Sequence, residues 1–425
     1  MKTPPIYPHL LSALDRFHGV SGTRSAEPPN APRTRRPRST SNLRILLCTF
    51  WKYPTAAGGL SRYLTSLKAG LEARDHRVDI IHPERFDPDA LREARERART
   101  EIERLFRDRY KRVNGDIVSN LQFMLGYEAL LSEKDLGKYD ILHAQDRFTA
   151  NVLSRLNQSY NKPLFFTPHG PMTYERLRLN LIKKGSEEEA YYYQVDRKTV
   201  DAANKVIILS DAFRPVLADL GADGRKLETI YTGIDFDPGP GKPKEHRIVI
   251  SCVSRLGPRK GHKLLLEALH QIKSELRHVR VNIVGDGEMK DELERLSSKL
   301  RLDDEVRFLG HRDDVERILS KSDIYVLPTT SDALPISVIE AMFAGNAVVT
   351  TRCGGIPEII RHQETGLLTE PGNVNQLAAC LLQLLKDQRL IKQLGRNAQE
   401  FAKTNLTVGK MASKIEHAYQ SALHG

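Results

Sequence analysis

From residue 44 onward, short apolar runs alternate with longer stretches whose apolar positions recur every three or four residues. The runs are RILLCTF, VDIIHP, DILHAQ, PLFFTPH and KVIILS in the first half, and RIVISCVS, VRVNIVG, VRFLG, DIYVLP and NAVVTT in the second. Runs rich in Val, Ile and Leu suit strands covered on both faces, and the helical stretches between them supply parallel crossovers. The rhythm predicts α/β architecture with two doubly wound sheets. It pauses at FDPGPGKPKEH, residues 236–246, where three prolines and two glycines disfavour helix and strand alike. An interdomain linker is expected there, dividing the chain into domains over residues 43–236 and 246–401. A last helical pattern, MASKIEHAYQSAL, falls within residues 402–425.

Residues 1–42 are rich in Pro, Ser and Arg, hold no sustained period and read as a disordered basic tail. Seven Lys/Arg against two Asp/Glu place +5 of the formal +11 charge in that tail. No aromatic residues interleave its arginines and no recognition fold follows, so nucleic acid is not expected as a partner. Residues 84–113 form a charged amphipathic pattern, ten Lys/Arg nearly balanced by eight Asp/Glu, with Leu91, Ala98, Ile102, Leu105 and Phe106 at helical spacing. A solvated face with i,i+4 ion pairs over a packed stripe is the plain reading. The tail and this helix are also the candidate contacts for a membrane surface. No apolar run approaches the roughly 20 residues that cross a bilayer, and no leader-like stretch follows Lys2. A cytoplasmic address is expected, peripheral at the inner face of a membrane if the basic segments act. Cys48, Cys252, Cys353 and Cys380 form no C-x-x-C pair and read as reduced, mostly buried thiols.

The block TTSDALPISVIEAMFAGNAVVTT ends a strand at Pro328, carries Asp332 in a loop and opens a helix near Pro335 that contains Glu340. A helix starting at a strand's carboxyl edge presents free amides and its positive dipole end, which favour a phosphate. Leu334, Pro335 and Ile336 stand at that start, and proline in a first turn has no N–H to leave unpaired. Eight helical residues rise about 12 Å, more than the roughly 5–9.5 Å between the carboxylates of a glycosidase. Asp332 and Glu340 therefore suit one extended ligand better than a direct acid and nucleophile pair. In SCVSRLGPRKGHKLLLEAL, Arg255 and Lys260 flank a Gly/Pro turn between strand and helix, either a solvated loop or a grip on a diphosphate. Gly285, Asp286 and Gly287 make another strand-to-helix turn; Lys290 stands where a dinucleotide fingerprint needs its third glycine. Gly58 and Gly59 follow the first strand and allow close approach of a ligand. His169 ends its strand at the carboxyl edge, where open α/β sheets bind ligands. His143 reads as structural, Gly355 as a turn former and Glu358 as either an acid of a helix's first turn or one that lines the cleft, the structural role being preferred.

In this order, from about residue 44 to about 400, the blocks resemble those of family-four glycosyltransferases. Asp332 and Glu340 match the family's two acids with seven residues between them, followed by Ala-Met, although Asp replaces the usual first glutamate and Ala333 a frequent glycine. The R-L-x-x-x-K-G, G-D-G, T-x-H and G-G-x-P-E blocks match at Arg255 to Gly261, Gly285 to Gly287, Thr167 to His169 and Gly354 to Glu358, with Ser254 where the family often has glycine. The resemblance implies a GT-B fold of two facing Rossmann-like domains, with the last helix crossing back to the first domain. It further implies a retaining transfer from a UDP- or GDP-linked sugar to a hydroxyl of a glycan, glycolipid or cell-envelope precursor, without a metal or other cofactor. Asp332 and His169 would meet the donor sugar, Arg255 and Lys260 the diphosphate, Glu340 the ribose, the Gly285–Asp286 turn the base, and Gly59 the phosphates from the opposite domain. The shorter Asp332 leaves a non-catalytic nucleotide-sugar-binding scaffold as the alternative, and a related epimerase or phosphorylase as a third.

Overall fold

The computed structural model describes residues 3–20, 42–55, 58–169, 172–237 and 247–424. The first sheet comprises β1 (Arg44–Cys48), β2 (Arg77–Ile81), β3 (Ile141–Ala144), β4 (Leu164–Phe166), β5 (Lys205–Ile208) and β6 (Leu227–Thr229), in the order β2-β1-β3-β4-β5-β6. The second comprises β7 (Ile248–Val253), β8 (Val279–Val284), β9 (Val306–Gly310), β10 (Ile324–Leu327), β11 (Ala347–Thr351) and β12 (Leu367–Thr369), in the order β12-β11-β10-β7-β8-β9. Every pairing is parallel, with Leu46 opposite Leu142 in the first sheet and Ile250 opposite Ile324 in the second. Central strands such as β1, β3, β10 and β11 are buried almost throughout because helices cover both faces. The two doubly wound domains expected from the apolar rhythm are present. Their edge strands β6 and β12 escaped that reading, because Leu-Glu-Thr and Leu-Leu-Thr offer no run of three apolar residues such as the Leu-Phe-Phe of β4.

Strand order reverses between β1 and β3 in the first sheet and between β7 and β10 in the second. Crossovers leave such a switch point in opposite directions, which opens a crevice at the carboxyl ends of the two strands. The loops after β7 and β10 carry Lys260 and Asp332; β1 is followed by the helix that opens at Gly59, and β3 by Gln145. Topology alone therefore brings the two strongest motifs of the second domain side by side.

The last helix, Val408–His424, packs on the first domain against the helix Gly59–Glu72, placing Met411, Ala412, Ile415, Ala418 and Tyr419 in one core with Leu64, Leu67 and Phe165. Its return crossing runs beside the outgoing one: the Ile234 N–H donates to the Leu406 carbonyl at 3.0 Å, and Ile234 pairs with Thr407. The expected linker falls largely in residues 238–246, outside the described residues.

The reading of residues 1–42 as a largely disordered tail does not hold for Pro8–His18, a helix with Leu10 and Leu14 fully buried. It packs on the helix Glu187–Ala202, Tyr7 bonds Glu128, and Asp15 accepts from Arg109 Nε at 2.5 Å and Tyr110 at 2.9 Å. An eleven-residue helix carries too few apolar turns to stand out in a basic, Pro-rich stretch. The Arg-rich part, residues 21–41, lies outside the described residues. The charged insertion folds as the helix Pro88–Tyr110, burying Leu91, Ala98, Ile102 and Phe106 against the helix Gly115–Leu131. Its apolar stripe is thus already occupied, and pairs such as Arg99 with Glu103 line the outer face. Among the described residues no helix is long and apolar enough to cross a membrane. All four cysteines are free, Cys48 and Cys252 buried, Cys353 and Cys380 half-buried.

Candidate functional site

At the second sheet's switch point the β7 and β10 loops are laced together. The Thr330 N–H donates to the Arg259 carbonyl at 2.8 Å, and Lys260 Nζ stands 2.9 and 2.8 Å from the two Asp332 carboxylate oxygens. The Thr329 hydroxyl is 2.9 Å from Asp332 Oδ2. Gly261 permits this approach: its φ is +76°, and a Cβ there would lie 2.0 Å from the Pro328 carbonyl oxygen. Despite its short side chain, Asp332 reaches its lysine with both oxygens. The pair is partly sheltered, with side-chain exposures of 24% for Lys260 and 18% for Asp332.

Arg255 does not join that pair. It leaves the end of β7 toward solvent, with 74% of its side chain exposed, and bonds Glu288 Oε2 at 2.9 Å in the loop after β8. The β8 loop lies directly against the β7 loop because Gly285, at φ +134°, admits the Ser254 carbonyl oxygen 2.0 Å from where a Cβ would stand. Asp286 is exposed, and its Oδ1 accepts from the Gly287 N–H at 2.8 Å. Gly285 and Asp286 thus border Arg255, whereas the two cations point to different partners.

The helix predicted near Pro335 spans Ile336–Phe343, with Pro335 at its N-cap and Leu334 buried. Proline has no side-chain acceptor to offer the first amides, so this start lacks a side-chain cap. Gly59, at the start of the facing helix, comes close: a Cβ on it would stand 3.6 Å from Ile336 Cδ1. Two helix starts from opposite domains therefore meet across the cleft. Glu340 is buried, and burial pushes its carboxyl above the usual range while Arg62 opposes that shift. Arg62 Nη1 lies 2.9 Å from Glu340 Oε1.

His169 sits in the first domain, its ring 4.4 Å from that of Tyr63 and its Nε2 3.0 Å from Gln145 Oε1. Burial lowers its pKa to about 3, so the imidazole is neutral at physiological pH. His143 is fully buried between Tyr419 and Thr167, with Nδ1 2.7 Å from the Tyr419 hydroxyl and Nε2 2.8 Å from Thr167 Oγ1. It ties the last helix to the first sheet.

Further groups join the domains, among them Arg62 and Arg178, which sequence reasoning did not single out. Arg178, just beyond the His169 loop, bonds Ser331 beside Asp332. Glu358 accepts the Asp211 and Ala212 amides across the cleft, both at 3.0 Å, a structural use that joins domains in addition to opening its own helix. Gly355 lies in a turn with Gly354, as expected, and also admits Ser210, whose Cβ is 2.4 Å from where a glycine Cβ would stand; Gly354 takes the left-handed φ of +51°. Arg62 and Arg178 resemble ordinary solvated helix cations in sequence, and only their position after the Gly58-Gly59 and T-x-H blocks hinted otherwise.

Two family profiles tile this architecture. Residues 57–238 match Glycosyltransferase Family 4 and residues 234–401 match Glycosyl transferases group 1, meeting where the chain passes between domains. An N-acetyl-alpha-D-glucosaminyl L-malate synthase of Bacillus anthracis is 33% identical over 255 residues, which span 57% of this chain and 63% of that protein. A glycogen synthase of Mycobacterium tuberculosis is 26% identical over 403 residues, covering 90% and 96% of the two chains. The crystal structure of Anabaena HepE in complex with UDP and glucose has the same fold, with a TM-score of 0.66 at 20% identity over 89% of this chain and 100% of that one. With both profiles in chain order on a GT-B fold, the chain belongs to the group 1 glycosyltransferases of family four.

Proposed function

We propose that this glycosyltransferase moves a sugar, with retention of anomeric configuration, from a UDP- or GDP-linked donor to a hydroxyl of a glycan, glycolipid or envelope precursor. The observation that carries the reading is the meeting of Lys260 and Asp332 at the switch point beside the uncapped start of Ile336–Phe343. As the glycosidic bond breaks, negative charge grows on the departing diphosphate and positive charge on the anomeric centre. A fixed ammonium and helix amides aimed at the first charge lower the barrier. Asp332, held by Lys260, takes sugar hydroxyls, and neutral His169 offers a hydrogen bond from the opposite wall. Arg255 is exposed and its pair with Glu288 is correspondingly weak, so a phosphate competes for it readily. These protein groups supply the charge compensation without a metal. The acceptor lies against the first domain, where the exposed rings of Trp51 and Tyr174 follow β1 and β4 and suit the apolar face of a sugar.

The test is a thermal-shift screen with UDP, GDP and their common sugar conjugates, followed by nucleotide release with the selected donor. A ligand-dependent rise in Tm for one nucleotide class, and release that depends on Lys260, is the expected result. Absence of any shift at millimolar nucleotide would overturn the donor assignment; a shift without release would support the scaffold reading.

A further inference from the structure

We propose that Arg62 is a positioning residue for the donor: reaching over from the first domain, it keeps Glu340 ionised and oriented so that the other carboxylate oxygen is free to take the nucleotide. The inference rests on the reading of Glu340 as the nucleotide-facing carboxylate. Arg62 lies near the start of the helix Gly59–Glu72, three residues beyond the glycine that touches Ile336. Its guanidinium is forked between two acids of the second domain, with Nη1 2.9 Å from Glu340 Oε1 and Nη2 2.6 Å from Glu316 Oε1. Nη2 also approaches the Asp235 carbonyl, at 3.4 Å, where the chain passes between domains.

Three features separate this contact from an ordinary surface pair. A cation near a helix N-terminus opposes the dipole, so Arg62 is placed against its local preference. Glu340 has a side-chain exposure of only 8%, and a buried carboxylate without a cation takes up a proton rather than remain charged. A planar guanidinium can bridge two carboxylates with separate nitrogens, whereas an ammonium acts as a point charge. The groups facing Glu340 are Arg62 from the first domain, Glu316 from the helix Val315–Ser320, and Tyr325 of β10, whose neutral hydroxyl bonds Ser337 at 2.7 Å. Glu316 is negative and opposes ionisation of Glu340; Arg62 favours it. The contact takes Oε1 and leaves Oε2 for ribose hydroxyls. Since only a protein with its domains together presents Arg62 to Glu340, donor affinity is linked to closure.

The experiment measures kcat and donor KM from pH 4.5 to 8 for wild type, R62Q, R62K, E316Q, E340Q and R62Q/E340Q, with UDP and GDP binding measured in parallel. R62Q is expected to raise donor KM about tenfold, the loss of a charge-assisted contact, with kcat at saturating donor changed less than threefold. Its acid limb of kcat/KM moves upward by about one pH unit or more. R62K restores the limb more than it restores KM; E316Q moves the limb downward; R62Q produces no further limb shift once E340Q is present. A raised KM with an unmoved acid limb in R62Q overturns the proposal and leaves Arg62 a plain interdomain clamp. Should R62Q fail to fold, an upward or absent shift in E316Q overturns it independently. If E340Q itself changes neither nucleotide binding nor the limb, the reading of Glu340 fails; if E340Q weakens binding and R62Q does not, only the Arg62 inference falls.

Discussion

Replacing Lys260 by Met keeps most of the side-chain stem and removes only the charge, which separates two roles that the geometry allows. If the ammonium merely laces the β7 and β10 loops, its worth is that of a partly exposed ion pair. Both members retain roughly a fifth of their exposure, and such pairs contribute about 1 kcal/mol or less. If instead it faces charge developing on the diphosphate, its loss costs about 2.7–4 kcal/mol of transition-state stabilisation, which is about 10²–10³ in kcat. The predicted signature is a kcat reduced by two to three orders of magnitude, on the order of 10²–10³, in a protein whose unfolding free energy changes by about 1 kcal/mol at most. Nucleotide release at saturating donor gives the first quantity and urea unfolding the second. Because Asp332 meets Lys260 with both oxygens, the two act as a unit, and K260M/D332N should fall little further than K260M alone. A K260M enzyme within tenfold of wild-type kcat would refute the electrostatic role, and equal losses of stability and activity would reduce it to loop lacing.

Two other outcomes follow from the packing and burial. Leu14→Ala, at a fully buried position of the N-terminal helix, should cost about 2–5 kcal/mol in urea unfolding; a loss near zero would mean that Pro8–His18 does not contribute to the folded unit. Burial lowers the pKa values of His143 and His169 to about 3 and that of His262 to about 4 from 6.5, so between those values the unfolded chain binds protons that the folded one refuses. Stability present above pH 6.5 is therefore lost as pH falls, on the order of 2 kcal/mol from His143 alone between pH 7 and 5. Urea midpoints should drop over that interval, less so in His143→Gln, and a midpoint that stays level or rises at pH 5 would contradict the assignment.

What could be read in advance depended on the range over which each feature is encoded. Strands β1 and β10 announced themselves because burial on both faces leaves contiguous apolar residues, a purely local signature. Lys260 and Asp332 were legible as motif members, and β7 and β10 become neighbours once the sheet reverses at the switch point. Their actual pairing, and the outward turn of Arg255 to Glu288, depended on side-chain reach and loop contacts that no periodicity records. Gly355 marks the boundary between these cases. A glycine in a G-G-x-P-E block is visible in sequence, but the reason for this one is Ser210 of the other domain. Arg62 and Glu340 lie still further from local encoding, since they are 278 positions apart in sequence and their contact joins the two domains. The same property makes the contact functionally informative. A group whose partner is fixed by domain pose responds to that pose, so a carboxylate buried in one domain and neutralised from the other couples ligand binding to closure in a way that no pair within a single domain can.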